Sequence, residues 1–231
     1  MTTEDLKARV LASARATRST PRRPSQLHVW LVLPSSTIVA AALFFAFDGL
    51  HHGQGRPAWF YVASSLGWMA VAALSLWAAF GRGGSALGRS RPWLTAVVVG
   101  TPALLFAMMF AFAVLHPEVT LLHPERIGYR CLGLTLAGAV FPLLSLAFIR
   151  RRSDPVHPVA TGAALGAACG AAAGVMVELW CPVAAPRHVA VGHILPIAIV
   201  SVFGALMGAR VIAMRARPVA REGAEAQDRR K

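Results

Sequence analysis

The sequence predicts an all-α integral membrane bundle of six transmembrane helices with both termini in the cytoplasm. Two observations carry this expectation: long apolar runs recur along the chain, and basic residues alternate between the connections. A bilayer core of about 30 Å demands a helix of about 20 apolar residues. Runs of that order occupy residues 29–47, 58–80, 93–115, 130–149, 159–180 and 193–212. At 56% hydrophobic and 14% charged residues, with a mean hydropathy of +0.56, the chain is too apolar for an ordinary soluble domain.

The first run starts late, and Asp48, Gly49 and Leu50 follow it where a signal peptide would carry a small-residue cleavage pattern. It therefore reads as a retained span. Nineteen of the 23 Lys and Arg residues lie before the first run, in the second and fourth connections, or among the seven from Arg210 to Lys231. Only Arg56, Arg126, Arg130 and Arg187 fall in the alternate connections or at their edges. This asymmetry places the basic side in the cytoplasm of a bacterial inner membrane. It also accounts for the net charge of +13 without direct contact to nucleic acid.

Within the spans, Pro34, Pro102, Pro142 and Pro196 each remove a backbone donor and favour a bend. Gly162, Gly166, Gly170 and Gly174 form a four-residue ladder on one face of the fifth span, a helix-packing surface that admits close approach of a neighbour. Glu178 is the one carboxylate within a span, less than a turn from its end. No phosphate-binding loop and no Ser/His/Asp constellation is visible, so neither an enzyme nor a cofactor is expected.

The topology gathers His51, His52, His116, His123, His188 and His193 on the outer side, with Cys131 at the head of the fourth span and Cys181 at the end of the fifth. Thiols outside the cytoplasm can form disulfides or respond to oxidants, which makes Cys131 and Cys181 candidate sensor residues. The spacing matches no C-x-x-C or comparable ligand motif, so no metal centre is expected; Glu178, His188 and His193 are the secondary candidates. Glu178 reads equally well as an interfacial residue paired with Arg130 or Arg187. Cys169 lies twelve residues before Cys181, about 18 Å along a helix, and reads as a packing residue.

Residues 1–28 form a cytoplasmic segment. In TEDLKARVLASARATR, Thr3 can cap a short helix whose apolar stripe comprises Leu6, Val10, Leu11 and Ala14. Such a helix is marginal alone and gains order from a partner, either the anionic membrane surface or a protein groove. A linker follows, residues 29–212 form the transmembrane domain, and residues 213–231 form a polar cytoplasmic tail.

Four stretches taken together carry a resemblance: YRC at Tyr129–Cys131, FPLLSLAFIRRRSDPVHPVATGAALGA over 141–167, LWCP over 179–182, and HILPIAIVSVFGALMGARVI over 193–212. With the span plan, they resemble the NrsF family of bacterial membrane anti-sigma factors. The resemblance implies a regulator that holds an extracytoplasmic-function sigma factor through its N-terminal segment and releases it under stress. It maps the family's two stress-response cysteines onto Cys131 and Cys181. Homo-oligomerisation is left open. The rival reading is a small membrane transporter or metal-handling protein using His51, His52, His116, His123, Glu178 and Cys181.

Overall fold

A computed structural model describes residues 4–5, 31–32, 34–35, 38–39, 42, 57–81, 89–120, 127–151 and 156–213. Its described elements are all helical. Helix α1 spans Ala58–Phe80, α2 Arg91–Leu115, the single turn α3 Pro117–Thr120, α4 Tyr129–Arg150 and α5 Pro158–Trp180. The last helix runs unbroken over Pro186–Ile212. It comprises α6 (Pro186–Val189), a π-helical turn (Ala190–Ile194), α7 (Leu195–Met207) and a second π-helical turn (Gly208–Ile212).

Among the described residues, α1, α2, α4, α5 and the last helix are five helices long and apolar enough to cross a membrane. The run at 29–47 falls largely outside the described residues; Leu31, Val32, Pro34, Ser35, Ile38, Val39 and Ala42 within it are helical. The N-terminal stripe of Leu6, Val10, Leu11 and Ala14, the tail beyond residue 213, and His51, His52 and His123 also lie outside them.

The helices alternate in direction, which side-chain contacts at both ends document. At one end Trp59, near the start of α1, meets Phe112 and His116 at the end of α2, with ring centroids 5.7 and 6.4 Å apart. At the other end Arg150, closing α4, donates to the Ala79 carbonyl at 2.7 Å and lies over the Phe80 ring. Arg89 there covers Trp77 at 3.7 Å. Arginine stacked on aromatic rings beside apolar helix ends is the chemistry of a membrane interface.

Helix α5 is the hub. Of its most apolar window 78% is buried, against 33% for α2 and for α4. Its sequence explains this, because Ala and Gly dominate PVATGAALGAACGAAAGVMVELW and let neighbours approach its backbone. A Cβ at Gly166 would meet the backbone of Val200 and Ser201, and one at Gly162 the backbone of Gly204 and Gly208. Gly170 lies against Ile197, whereas Gly174 faces the Trp68 ring of α1. The ladder thus divides between two partner helices. The outward faces carry large apolar side chains such as Leu104, Leu115, Phe141, Phe148 and Phe203, each more than half exposed, which suits contact with lipid chains.

The last helix differs from its expected bounds of 193–212. It begins at Pro186, because proline's fixed φ and missing donor suit the first helical turn. His188 is consequently a helical residue and not a loop residue, and His193, expected at the head of the span, lies inside the helix.

Candidate functional site

At the end of the bundle opposite Arg89 and Arg150, four buried side chains converge. One donor atom from each of Cys131, Cys181, His188 and His193 lies within 4.8 Å of all the others. Three separate pieces of backbone deliver them, and local sequence explains each.

Cys131 sits in the first turn of α4. The helix is entered through Gly128 at φ 102°, a left-handed conformation that an L side chain adopts at a cost. A Cβ there would also press on the His188 carbonyl oxygen at 2.8 Å and on the Gly192 backbone at 3.0 Å. Gly192 in turn leaves only 3.0 Å between its own absent Cβ and that of Cys131. The two glycines bring α4 and the last helix close enough for their functional side chains to meet.

Cys181 caps α5 in extended conformation, φ −82° and ψ 119°. Pro182 dictates this, since a residue before proline is pushed out of the α region. The helix therefore stops at Trp180, and the thiol projects past its end. After four residues without regular secondary structure, α6 carries His188. The π-helical turn then carries His193, and Leu195 donates back to the Ala190 carbonyl in the five-residue pattern. Pro196 follows immediately and has no amide hydrogen, so it relieves the pressure to restore the tighter α ladder there.

His188 Nε2 stands between the two thiols, 3.1 Å from Cys181 Sγ and 3.5 Å from Cys131 Sγ. Both sulfurs therefore meet the same ring nitrogen, which can form only one hydrogen bond in the ring plane. All three cysteines of the chain are free thiols. Hydrogen bonding with Cys131, then with His188, together with the charge of the nearby His193 ring, holds the Cys181 thiol well below its ordinary range against the upward push of burial.

Glu178 stands behind the site. Read from the sequence either as a secondary candidate or as an interfacial partner of Arg130 or Arg187, it is fully enclosed, with Oε2 3.2 Å from His193 Nδ1. Spacing explains the enclosure: three residues before Cys181 on α5, it shares the inward face that carries the site. Arg130 lies over the Trp180 ring at 4.8 Å. Both ring nitrogens of His193, Nδ1 beside Glu178 and Nε2 on the far side of the ring, are buried without a hydrogen bond. An enclosed polar atom left so is costly, and the pair directs attention to what the pocket holds.

Not every outer-side candidate joins the cluster. His116 pairs with Glu118 at 3.2 Å and packs on Phe112. Cys169 is buried mid-helix within the apolar core. Sequence reading gave no role to Gly128 and Gly192, although the Gly128-Tyr-Arg-Cys131 and Gly192-His193 pairings place each glycine within a turn of a site residue.

Comparison with curated proteins and with solved structures finds no match. A family model described as negative regulator of sigma F matches residues 13–213, a span that includes all four clustered residues and Glu178. The chain therefore belongs to the NrsF family of negative regulators of sigma F, a family of regulators and not of enzymes.

Proposed function

We propose that this protein is a multi-pass inner-membrane anti-sigma factor with six spans and both termini in the cytoplasm. Residues 1–28 hold an extracytoplasmic-function sigma factor, with Leu6, Val10, Leu11 and Ala14 as the apolar contact. The end of the bundle around Cys131 and Cys181 senses an envelope, oxidative or metal stress, and the signal releases the sigma factor. The observation that carries the sensing half is the burial of two free thiols around one imidazole, at the end of the bundle away from its arginine-rich end.

Coupling runs through α5. It carries Cys181 at one end, and its glycine face meets the last helix along most of its length. A change in thiol state or ligation shifts Cys181 against Cys131 and His188, and α4, α5 and the last helix must repack in response. The energy required is modest, since about 1.4 kcal/mol of differential interaction changes sigma occupancy tenfold and about 5.5 kcal/mol reverses a 99:1 distribution.

The test is transcriptional, in the native host. Deleting residues 1–28 is expected to switch on the sigma-dependent genes without stress. Cys131→Ser with Cys181→Ser is expected to abolish induction by thiol-reactive metal or oxidant while repression persists. An unchanged transcriptome after the deletion removes the anti-sigma reading, and unchanged induction in the double variant removes the sensor.

A further inference from the structure

We propose that Cys131, Cys181, His188 and His193 form a four-coordinate site for a divalent cation of the zinc type, with Glu178 as the partner that orients His193. This deepens the sensor reading above by naming the ligand of that same site, and it rests on that reading only for its regulatory meaning.

The donor set comes first. Two thiols and two imidazoles are the ligands preferred by borderline and soft divalent ions, and S₂N₂ is a closed, structural type of zinc shell. Size comes second. With metal–sulfur bonds of about 2.3 Å and metal–nitrogen bonds of about 2.0–2.1 Å, the corners of a tetrahedral S₂N₂ shell stand about 3.3–3.8 Å apart. His188 Nε2 is already 3.1 and 3.5 Å from the two sulfurs. All four donors lie within 4.8 Å of one another, so contraction of about 1 Å at the widest edge closes the shell.

The surroundings agree. The crowding of two sulfurs on one imidazole nitrogen disappears when each donor points at a common ion. His193 Nε2, buried without a hydrogen bond, gains a partner. Glu178 Oε2 lies 3.2 Å from the opposite nitrogen, Nδ1, which is the carboxylate–histidine–metal relationship that fixes the tautomer and orientation of a ligand ring. Both cysteines ligate as thiolates, and their protons leave to solvent. The ion would tie together the first turn of α4, the end of α5 and the last helix, three pieces of backbone far apart in sequence.

The experiment uses the full-length protein purified in detergent from cells grown with ordinary trace zinc. Mass spectrometry of elements is expected to find about one zinc per chain. After chelation, added Co²⁺ is expected to give the intense visible bands of a tetrahedral, thiolate-ligated ion. Titration should show Glu178→Gln weakening the site 10–100-fold. Cys131→Ser and His193→Ala should lose the cobalt spectrum, while Cys169→Ser keeps it and His193→Cys retains a tetrahedral thiolate spectrum. Maleimide labelling of Cys131 and Cys181 should be slow with metal and fast after chelation. Wild-type protein that is folded yet neither carries stoichiometric zinc nor gives the cobalt spectrum overturns the proposal, whatever the variants do. Binding undiminished in the Cys131→Ser/His193→Ala double variant overturns it as well. Sigma-factor capture on the same preparation separates the two ideas: metal without sigma leaves the site standing and removes the regulator reading, and sigma without metal does the reverse.

Discussion

Gly128 is the residue on which the geometry of the site turns. Any side chain there meets a left-handed φ of 102° and the His188 carbonyl, so Gly128→Ala should cost about 1–2 kcal/mol and displace the head of α4. The expected outcome is a separation of Cys131 from Cys181, read as faster thiol labelling and a lower thermal midpoint. Labelling at the wild-type rate would show that the entry to α4 does not set the site. Glu178 illustrates why the sequence left part of this hidden. Its identity and its place less than a turn from the end of a span were plain, yet burial against His193 depends on the last helix starting at Pro186 and turning through a π-helical segment. The cysteines were legible as a pair because both precede or follow span ends. His188 was legible as a secondary candidate but not as their joint partner, since it reaches them from a third backbone segment with no motif spacing.

At the scale of the helix, α5 governs packing. The four-residue spacing of its glycines was readable as a close-approach face, but its division was not: Gly162, Gly166 and Gly170 face the last helix, whereas Gly174 receives Trp68. Periodicity names a face and cannot name the neighbour. Gly166→Leu places a branched side chain where even a methyl group meets the Val200 and Ser201 backbone. Overpacking of that kind costs about 1–3 kcal/mol and more where backbone must move. A drop in the detergent-solubilised thermal midpoint is expected, together with loss of regulation. Gly100, around which a Cβ finds open space, supplies the control, and Gly100→Ala should leave the midpoint within experimental scatter. Equal effects at both positions would mean that the glycine face has no special packing role.

Across the whole molecule, the two ends of the bundle differ in chemistry. One end presents Arg89, Arg150 and Arg151 over aromatic rings, and the other gathers the thiols and imidazoles. Five of the six expected spans are matched by a long apolar helix, because apolar length is a local property, and α1 follows its expected bounds of 58–80. The orientation proposed above puts the arginine-rich end in the cytoplasm. Fluorescent-protein fusion at the C-terminus is therefore expected to glow, and alkaline phosphatase inserted after residue 184 to be active. The opposite pattern would invert the topology and put the thiols in the reducing compartment.

The central claim is that an outer Cys/His cluster controls a cytoplasmic grip on a sigma factor, and co-purification measures it most directly. Full-length protein is solubilised from unstressed cells and from cells briefly exposed to cadmium, and bound sigma factor is quantified. The account predicts sigma factor bound to the unstressed protein, at least tenfold less after exposure, and no release from the Cys131→Ser/Cys181→Ser variant. Absence of sigma factor from the unstressed preparation, or equal release from the double variant, would contradict it.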